Sequence, residues 1–347
     1  MRDRVLWAIA ILVAAIGLLS EWRGASREIL AAGRDVRAAG RNLRGAGQEL
    51  RSELRATGRE WWTANKHGNR SITTNSRRVV RTCDDLEVRM DGRIMARAVE
   101  TVAVAKSNAP MRIEPPDNGG VFVRGWAEAG YSILMCKDAG GDDRADAEKI
   151  LSKVRMLNDG GRFTATGPGN DDDWVVHFIV MAPEGAQLTL RTHNGPIDLR
   201  SLRGTIDARS VNGPIGLDDV RGEVRAETEN GPISVGGGGG KQVLRTQNGP
   251  LTLRLASEKW EGGELDGSTQ NGPVTVSLPE SFQSGLRIDA SGHSPISCRA
   301  AQCKGAPRTW DNLNRIEFGG SPVMRLSTVN GPVDVNNRSR KYDSKED

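Results

Sequence analysis

Aromatic side chains are scarce, at 4% of the chain with only two tyrosines, so any core must be aliphatic. The four histidines, His67, His177, His193 and His293, cluster with nothing in the sequence, and the four cysteines include only one close pair. A zinc site built from two close ligand pairs is therefore excluded. Neither charge sign dominates. There are 48 basic and 44 acidic residues, and the net charge of +4 comes mostly from an arginine-rich stretch near the N-terminus. A nucleic-acid-binding surface has no support in such a composition. No apolar run reaches the ~20 residues that span a bilayer. No serine-nucleophile elbow, phosphate loop or metal-ligand spacing occurs, so no catalytic residue, metal or cofactor is assigned and the chain is not expected to be an enzyme.

What the chain has in abundance is glycine, 42 residues, and a repeat. Asn194-Gly195-Pro196, Asn212-Gly213-Pro214, Asn230-Gly231-Pro232 and Asn248-Gly249-Pro250 follow one another at a spacing of 18. Asn271-Gly272-Pro273 and Asn330-Gly331-Pro332 come after longer inserts, with degenerate copies at His293-Ser294-Pro295 and Gly320-Ser321-Pro322. A short fixed period marks a stacked supersecondary unit. Around each Asn, apolar residues alternate with polar ones. Leu190, Ala208, Ala226 and Leu244 stand four before it, and Ile197, Ile215, Ile233 and Leu251 three after. Leu199, Leu217, Val235 and Leu253 stand five after, and Thr192, Ser210, Thr228 and Thr246 two before. Period-2 alternation belongs to strands with one buried face.

The expected turn chemistry gives Gly a positive φ after Asn, with Pro fixing the next φ. Gly204, Gly222 and Gly240, ten after their Asn, mark an opposite corner. A coil then reads strand, Asn-Gly-Pro corner, strand, glycine corner. This predicts a mainly β fold, a right-handed or flattened β-solenoid of about 18 residues per coil, with ladders of stacked Asn and Thr. The alternative is an antiparallel sandwich with hairpins at Asn-Gly.

Upstream, Val5 to Leu19 is an apolar run of fifteen residues behind two arginines. It suits an uncleaved signal anchor, residues 1–22, or a cleaved signal peptide. Residues 23–62 form an arginine-rich heptad segment, with Ile29, Val36, Leu43 and Leu50 spaced by seven and Gly33, Gly40 and Gly47 between them. Its expected roles are a self-associating stalk through residues 26–62, a helix on anionic lipid, or a lone solvated helix. A polar linker is expected over 63–78, an α/β capping region over 79–173, repeats over 174–336 and a polar tail over 337–347. Within the cap, Asp142 to Leu157 reads as one helix, and Asn118-Gly119-Gly120 reads as a turn. An even cysteine count predicts disulfides and export. Cys298 and Cys303 would pin one insert, and Cys83 and Cys136 would tie the cap.

The entry into the repeats, Trp174 to Pro183 followed by Leu188 to Gly195, resembles the DUF4097 family of adhesin-like bacterial proteins. The resemblance covers about Val79 to Val335. Pro stands after Gly where Asp is usual in that family, and the Cys298–Cys303 insert interrupts the coils. The resemblance implies a β-solenoid exposed in the bacterial cell envelope and transfers no catalytic residue. The expected partners are the membrane, through the N-terminal helix, a second copy, through residues 26–62, and a cell-surface glycan or protein, with no nucleic acid. A periplasmic scaffold and a glycan-cleaving β-helix are the alternatives. The outward arginines Arg191, Arg200, Arg209, Arg225, Arg245 and Arg254 suggest a face for an acidic glycan.

Overall fold

The computed structural model describes residues 60–66, 70–76, 79–169, 173–291, 294–304, 313–319 and 322–337. The expected signal anchor, the heptad segment up to residue 59, the tail beyond residue 337, His293 and the Gly320-Ser321 pair lie outside the described residues. Asp171 and Asp172 do so as well.

The first part of the chain contains β1 (Glu60–Lys66), β2 (Arg70–Ser76), β3 (Leu86–Met90), β4 (Ile94–Val104), β5 (Met111–Ile113), β6 (Val121–Gly125) and β7 (Tyr131–Gly141). It continues with α1 (Arg144–Leu151), β8 (Arg155–Asp159), β9 (Arg162–Thr166) and β10 (Asp173–Ala182). The repeats supply β11 (Ala186–Thr192), β12 (Ile197–Arg200), β13 (Arg203–Ser210), β14 (Ile215–Asp218), β15 (Arg221–Asn230) and β16 (Ile233–Gly236). They go on with β17 (Gly239–Asn248), β18 (Leu251–Arg254), β19 (Leu265–Asn271) and β20 (Val274–Leu278). The last elements are β21 (Gly285–Ser291), β22 (Ile296–Cys298), β23 (Leu313–Phe318), β24 (Pro322–Asn330) and β25 (Val333–Asn337).

Each Asn-Gly-Pro joins strands of two different sheets. β11 pairs in parallel with β13, and β12 with β14, in register at a step of 18 residues. The hairpin sandwich is thereby ruled out, because no Asn-Gly-Pro joins paired strands. The two mixed sheets have 11 strands each and enclose an aliphatic core. Leu190, Leu199, Ile197, Ala208, Ile215, Ile233, Leu244 and Leu251 are fully buried in it. Full burial of such a side chain contributes about 2 kcal/mol, so the alternation read in the sequence is also the main stabilising term. Gln242 occupies the core column that holds Leu188, Ile206, Val224, Leu265 and Met324 in the other rungs. Its Nε2 donates to Val220 O at 2.9 Å and Gly239 O at 3.2 Å, while its Oε1 has no partner.

The corner works differently from the expectation. The six Asn-Gly-Pro glycines do not adopt positive φ. Glycine is needed there because a Cβ on Gly213, Gly231 or Gly249 would collide with the carbonyl of the corresponding glycine one rung below. Left-handed backbone sits at the opposite corner instead, at Ser201 (φ 50°), Asp219 (φ 48°) and Gly237 (φ 78°), each seven after its Asn.

The stack begins before the repeats do. β5 pairs with β11 and β6 with β12, so Asn118-Gly119-Gly120 is the corner of an initial rung and not an isolated turn. The stack also ends out of chain order. β24 lies between β19 and β21, and β25 between β20 and β22. Pro295 takes the corner position of that outermost rung, its carbonyl accepting from Val333 N at 2.9 Å. Pro322, by contrast, opens strand β24 and is no corner.

Three expectations for the upstream region change. Residues 60–66 and 70–76, read as the end of a helix and a linker, are the antiparallel strands β1 and β2, with Trp61 and Trp62 in β1. They form a small third sheet with β3. The helix expected over Asp142–Leu157 spans only Arg144–Leu151, and the chain then turns into β8. Ala147, Ile150, Leu151 and Val154 of its apolar stripe are buried, but Leu157 is 45% exposed on an edge strand. The capping region is thus continuous with the stack. Both cysteine pairs form disulfides, Cys83–Cys136 and Cys298–Cys303.

Candidate functional site

The repeat geometry produces a groove. Where the second sheet bends into the Asn-Gly-Pro corners, a cavity of ≈ 800 Å³ runs across the rungs, from Glu114 and Pro115 at the initial rung to Ser327 and Val329 near the far end. That span is six rung steps, or about 29 Å at the ~4.8 Å separation of paired strands.

Its floor is the column two before each Asn. Thr228, Thr246 and Thr269 donate to Gly213 O (2.9 Å), Gly231 O (2.9 Å) and Gly249 O (2.8 Å) of the preceding rung. Thr192 donates to Gly195 O at 2.8 Å within its own corner. The floor is therefore locked to the backbone. Beside it the corner asparagines form one ladder. Asn194, Asn212, Asn230, Asn248, Asn271 and Asn330 each donate from Nδ2 to the Oδ1 of the Asn one rung back, at 2.8–3.0 Å, and Asn118 accepts the first bond.

One wall is the column three before each Asn: Arg191, Arg209, Glu227, Arg245, Ser268 and Ser327. Its arginines are already engaged. Arg191 contacts Asp207 at 2.5 Å and donates to Leu190 O and Asp207 O. Arg209 bridges Asp207 and Glu227, both at 3.2 Å. Arg245 holds Asp266 at 2.8 Å. The other wall is the column one before each Asn: His193, Val211, Glu229, Gln247, Gln270 and Val329.

The arginine face expected from the sequence is not one stripe. Arg191, Arg209 and Arg245 line the groove, and Arg225 stands on the same sheet one column further out, paired with Glu227 at 2.5 Å. Arg200 and Arg254 belong to the other sheet. Sequence reasoning missed the column one before Asn, the place where the copies differ most. Variation at a fixed position of an otherwise regular repeat was the available signal.

The strongly perturbed ionisable groups lie away from the groove. Burial, reinforced by the charge of Arg97, lowers His177 to about 3. The ring accepts from Gly120 N at Nδ1 (2.9 Å), so its proton sits on Nε2, 3.3 Å from Thr74 Oγ1. Burial raises the Asp138 carboxyl above its ordinary value against the opposing pull of Arg97, which lies at 2.7 Å. Arg97 also donates to Cys83 O and Leu86 O, so this pair is a structural strap. Burial likewise raises Asp198, with Arg200 opposing. Among the described residues no group of His, Cys, Asp and Glu could hold a metal ion, and no helix is long and apolar enough to cross a membrane.

No family model matches the chain, and no curated protein matches it. The DUF4097 likeness therefore rests on its motif alone. Solved structures that are similar in part include two candidate adhesion proteins. A candidate cell adhesion protein from Clostridium sporogenes is 12% identical with a TM-score of 0.29, over 70% of this chain and 100% of that one. A candidate adhesin from Bacteroides fragilis is 8% identical with a TM-score of 0.33, over 70% and 97%. Likenesses of this size transfer neither residues nor activity.

Proposed function

We propose that this chain is an adhesin-like β-solenoid of the cell envelope, a non-enzymatic module whose groove holds an extended polymer laid across the rungs. The observation that carries the reading is the continuity of the groove over seven rungs, with its side chains in register from one rung to the next. A compact ligand would use a fraction of that surface, whereas a chain molecule would use all of it and gain from each repeat. Both disulfides fit an oxidising, extracytoplasmic setting. Residues 1–22 would tether the module to a membrane, and residues 26–62 would serve as its stalk. Against turnover, Glu114 is paired with Arg162 at 2.5 Å and Glu227 with Arg209 and Arg225. Glycoside hydrolysis works through two carboxylates, and two of the groove's three glutamates are thus already engaged by arginines.

The test uses the full chain against immobilised polymers of defined chemistry: neutral glycans, acidic glycans and extended polypeptides. Ser268→Trp fills the groove, and Ser234→Trp places the same bulk on the other sheet. Retention is expected to fall about tenfold, or ~1.4 kcal/mol, with Ser268→Trp alone. Equal retention by both variants on every polymer would refute the groove as the site.

A further inference from the structure

The two halves of the groove differ in chemistry, and the difference bears on what it holds. At the end near the initial rung stand Arg191, Arg209, Glu114 and Glu227, all ion-paired. The far half presents Gln247, Gln270, Ser268 and Ser327, with Val329 beside them and a single arginine, Arg245, held by Asp266 at 2.8 Å. The two glutamines occupy one column a single rung apart, as do the two serines.

None of these four side chains makes a hydrogen bond among the described residues. The backbone around them is already used, as Thr246 pairs with Thr269 and Ser268 with Ser327 in the parallel ladder. The far half therefore offers two carboxamides and two hydroxyls with open capacity to donate and accept, repeated at ~4.8 Å.

We infer that this half of the groove is a subsite for an uncharged, linear polysaccharide, one sugar unit per rung. The inference rests on the polymer-binding reading above and narrows it. A sugar hydroxyl donates and accepts at once, as carboxamides and serines do. A polyanion has less to gain. Three arginines in the lining are matched by three glutamates, Glu114, Glu227 and Glu229. The guanidiniums of Arg191 and Arg245 are also held by backbone carbonyls, at 2.9 and 3.1 Å for the nearest. Turning them to clamp a sulfate or phosphate would break those bonds. An extended peptide would find no open strand edge here, and β-augmentation requires one. The groove lining contains no Phe, Tyr or Trp, so each sugar unit binds weakly and affinity must accumulate along the chain.

The experiment is calorimetric titration of the full chain with neutral linear oligosaccharides of increasing length, covering several linkages, with heparin and a polyglutamine peptide as contrasts. Affinity is expected to rise with each added unit and to level off at about the number of rungs spanned. It should stay within about twofold between low and high salt, since few counterions are displaced. The Gln247→Ala/Gln270→Ala double variant should weaken it about tenfold, the loss of two hydrogen bonds. Salt-steep heparin binding abolished by Ser268→Trp would overturn this inference and leave the polymer-binding groove standing. Peptide binding abolished by Ser268→Trp would do the same. No groove-dependent binding by any class would remove both.

Discussion

The middle rungs and the upstream cap are held together by different means. From Asn194 to Asn271 every rung is fastened by the same three ties: the Asn ladder, a Thr or Ser hydroxyl on a glycine carbonyl, and a backbone bond from the third residue after Asn to the next proline carbonyl. In the cap each fastening occurs once. The third sheet is tied to the stack by the Cys83–Cys136 disulfide, by Arg97 on Cys83 O and Leu86 O, and by His177 reaching Thr74. Ile72, Val88 and Met90 pack there on Val175, and Val80 and Leu86 on Phe122 and Ile179. Repetition spreads load over equivalent bonds, as expected where stability is a sum of neighbour terms. A single-copy fastening has no substitute, so the cap is where one change should matter most.

The largest effect should come from the longer disulfide. Cys83–Cys136 closes a separation of 53 residues and Cys298–Cys303 one of five. On a chain-entropy basis the first contributes about 4 kcal/mol and the second about 2 kcal/mol. In urea melts followed by a cap tryptophan, the Cys83→Ser/Cys136→Ser protein should lose about twice the stability lost by Cys298→Ser/Cys303→Ser. Equal losses would mean that closing the longer loop contributes nothing beyond closing the short one.

The next effect is pH dependence in the same place. His177 is neutral and buried, with its folded value lowered to about 3 from an ordinary 6.5. The unfolded chain therefore takes up the proton first as pH falls. The stabilisation from neutral His177 is complete above about pH 6.5 and diminishes steadily towards pH 3. At pH 5 the loss is about 2 kcal/mol, at 1.36 kcal/mol per unit. His177→Gln keeps a donor and an acceptor without titrating in this range. Its stability should change less between pH 7 and pH 5 than that of the parent. Parallel profiles for the two proteins would show that other groups carry the acid sensitivity.

The same contrast explains what could be read in advance. The middle rungs were legible because two periods coincide, alternation within each strand and 18 residues between strands. Ile197, Ile215 and Ile233 thereby announce their own stacking. Single copies carry no such signal. Asn118 stands 76 residues from Asn194, the next Asn of the ladder, with β7 to β10 between them in the chain, so nothing local marks it as a rung. The exchanged order of β21 and β24 was equally silent, since a repeat reveals a coil but not its neighbours. Strands β1 and β2 were hidden because the heptad spacing upstream invites a helix through Trp62. Thr73 and Thr74, which pair in the hairpin and with β3, read equally well as polar linker. The groove was missed because its defining column, from His193 to Val329, is the one that the repeat does not conserve from copy to copy.

The smallest effect tests the repeated side of the comparison. Asn230 donates to Asn212 Oδ1 at 2.8 Å and accepts from Asn248 Nδ2 at 2.9 Å, on an exposed corner. Asn230→Ala removes both bonds, but water can reach the freed amides and every backbone tie of the rung remains. The cost should be about 1 kcal/mol, well below that of the Cys83–Cys136 disulfide in the cap. Asn230→Asp discriminates further. It still accepts from Asn248 but sets a carboxylate oxygen against Asn212 Oδ1, where a donor is required. Near neutral pH it should therefore be less stable than Asn230→Ala despite being closer in shape, and it should recover part of the loss once acid protonates it. If alanine and aspartate were equivalent at this position, the amides would be neighbours without being a ladder. The stability of the middle rungs would then reside in their backbone bonds and core alone.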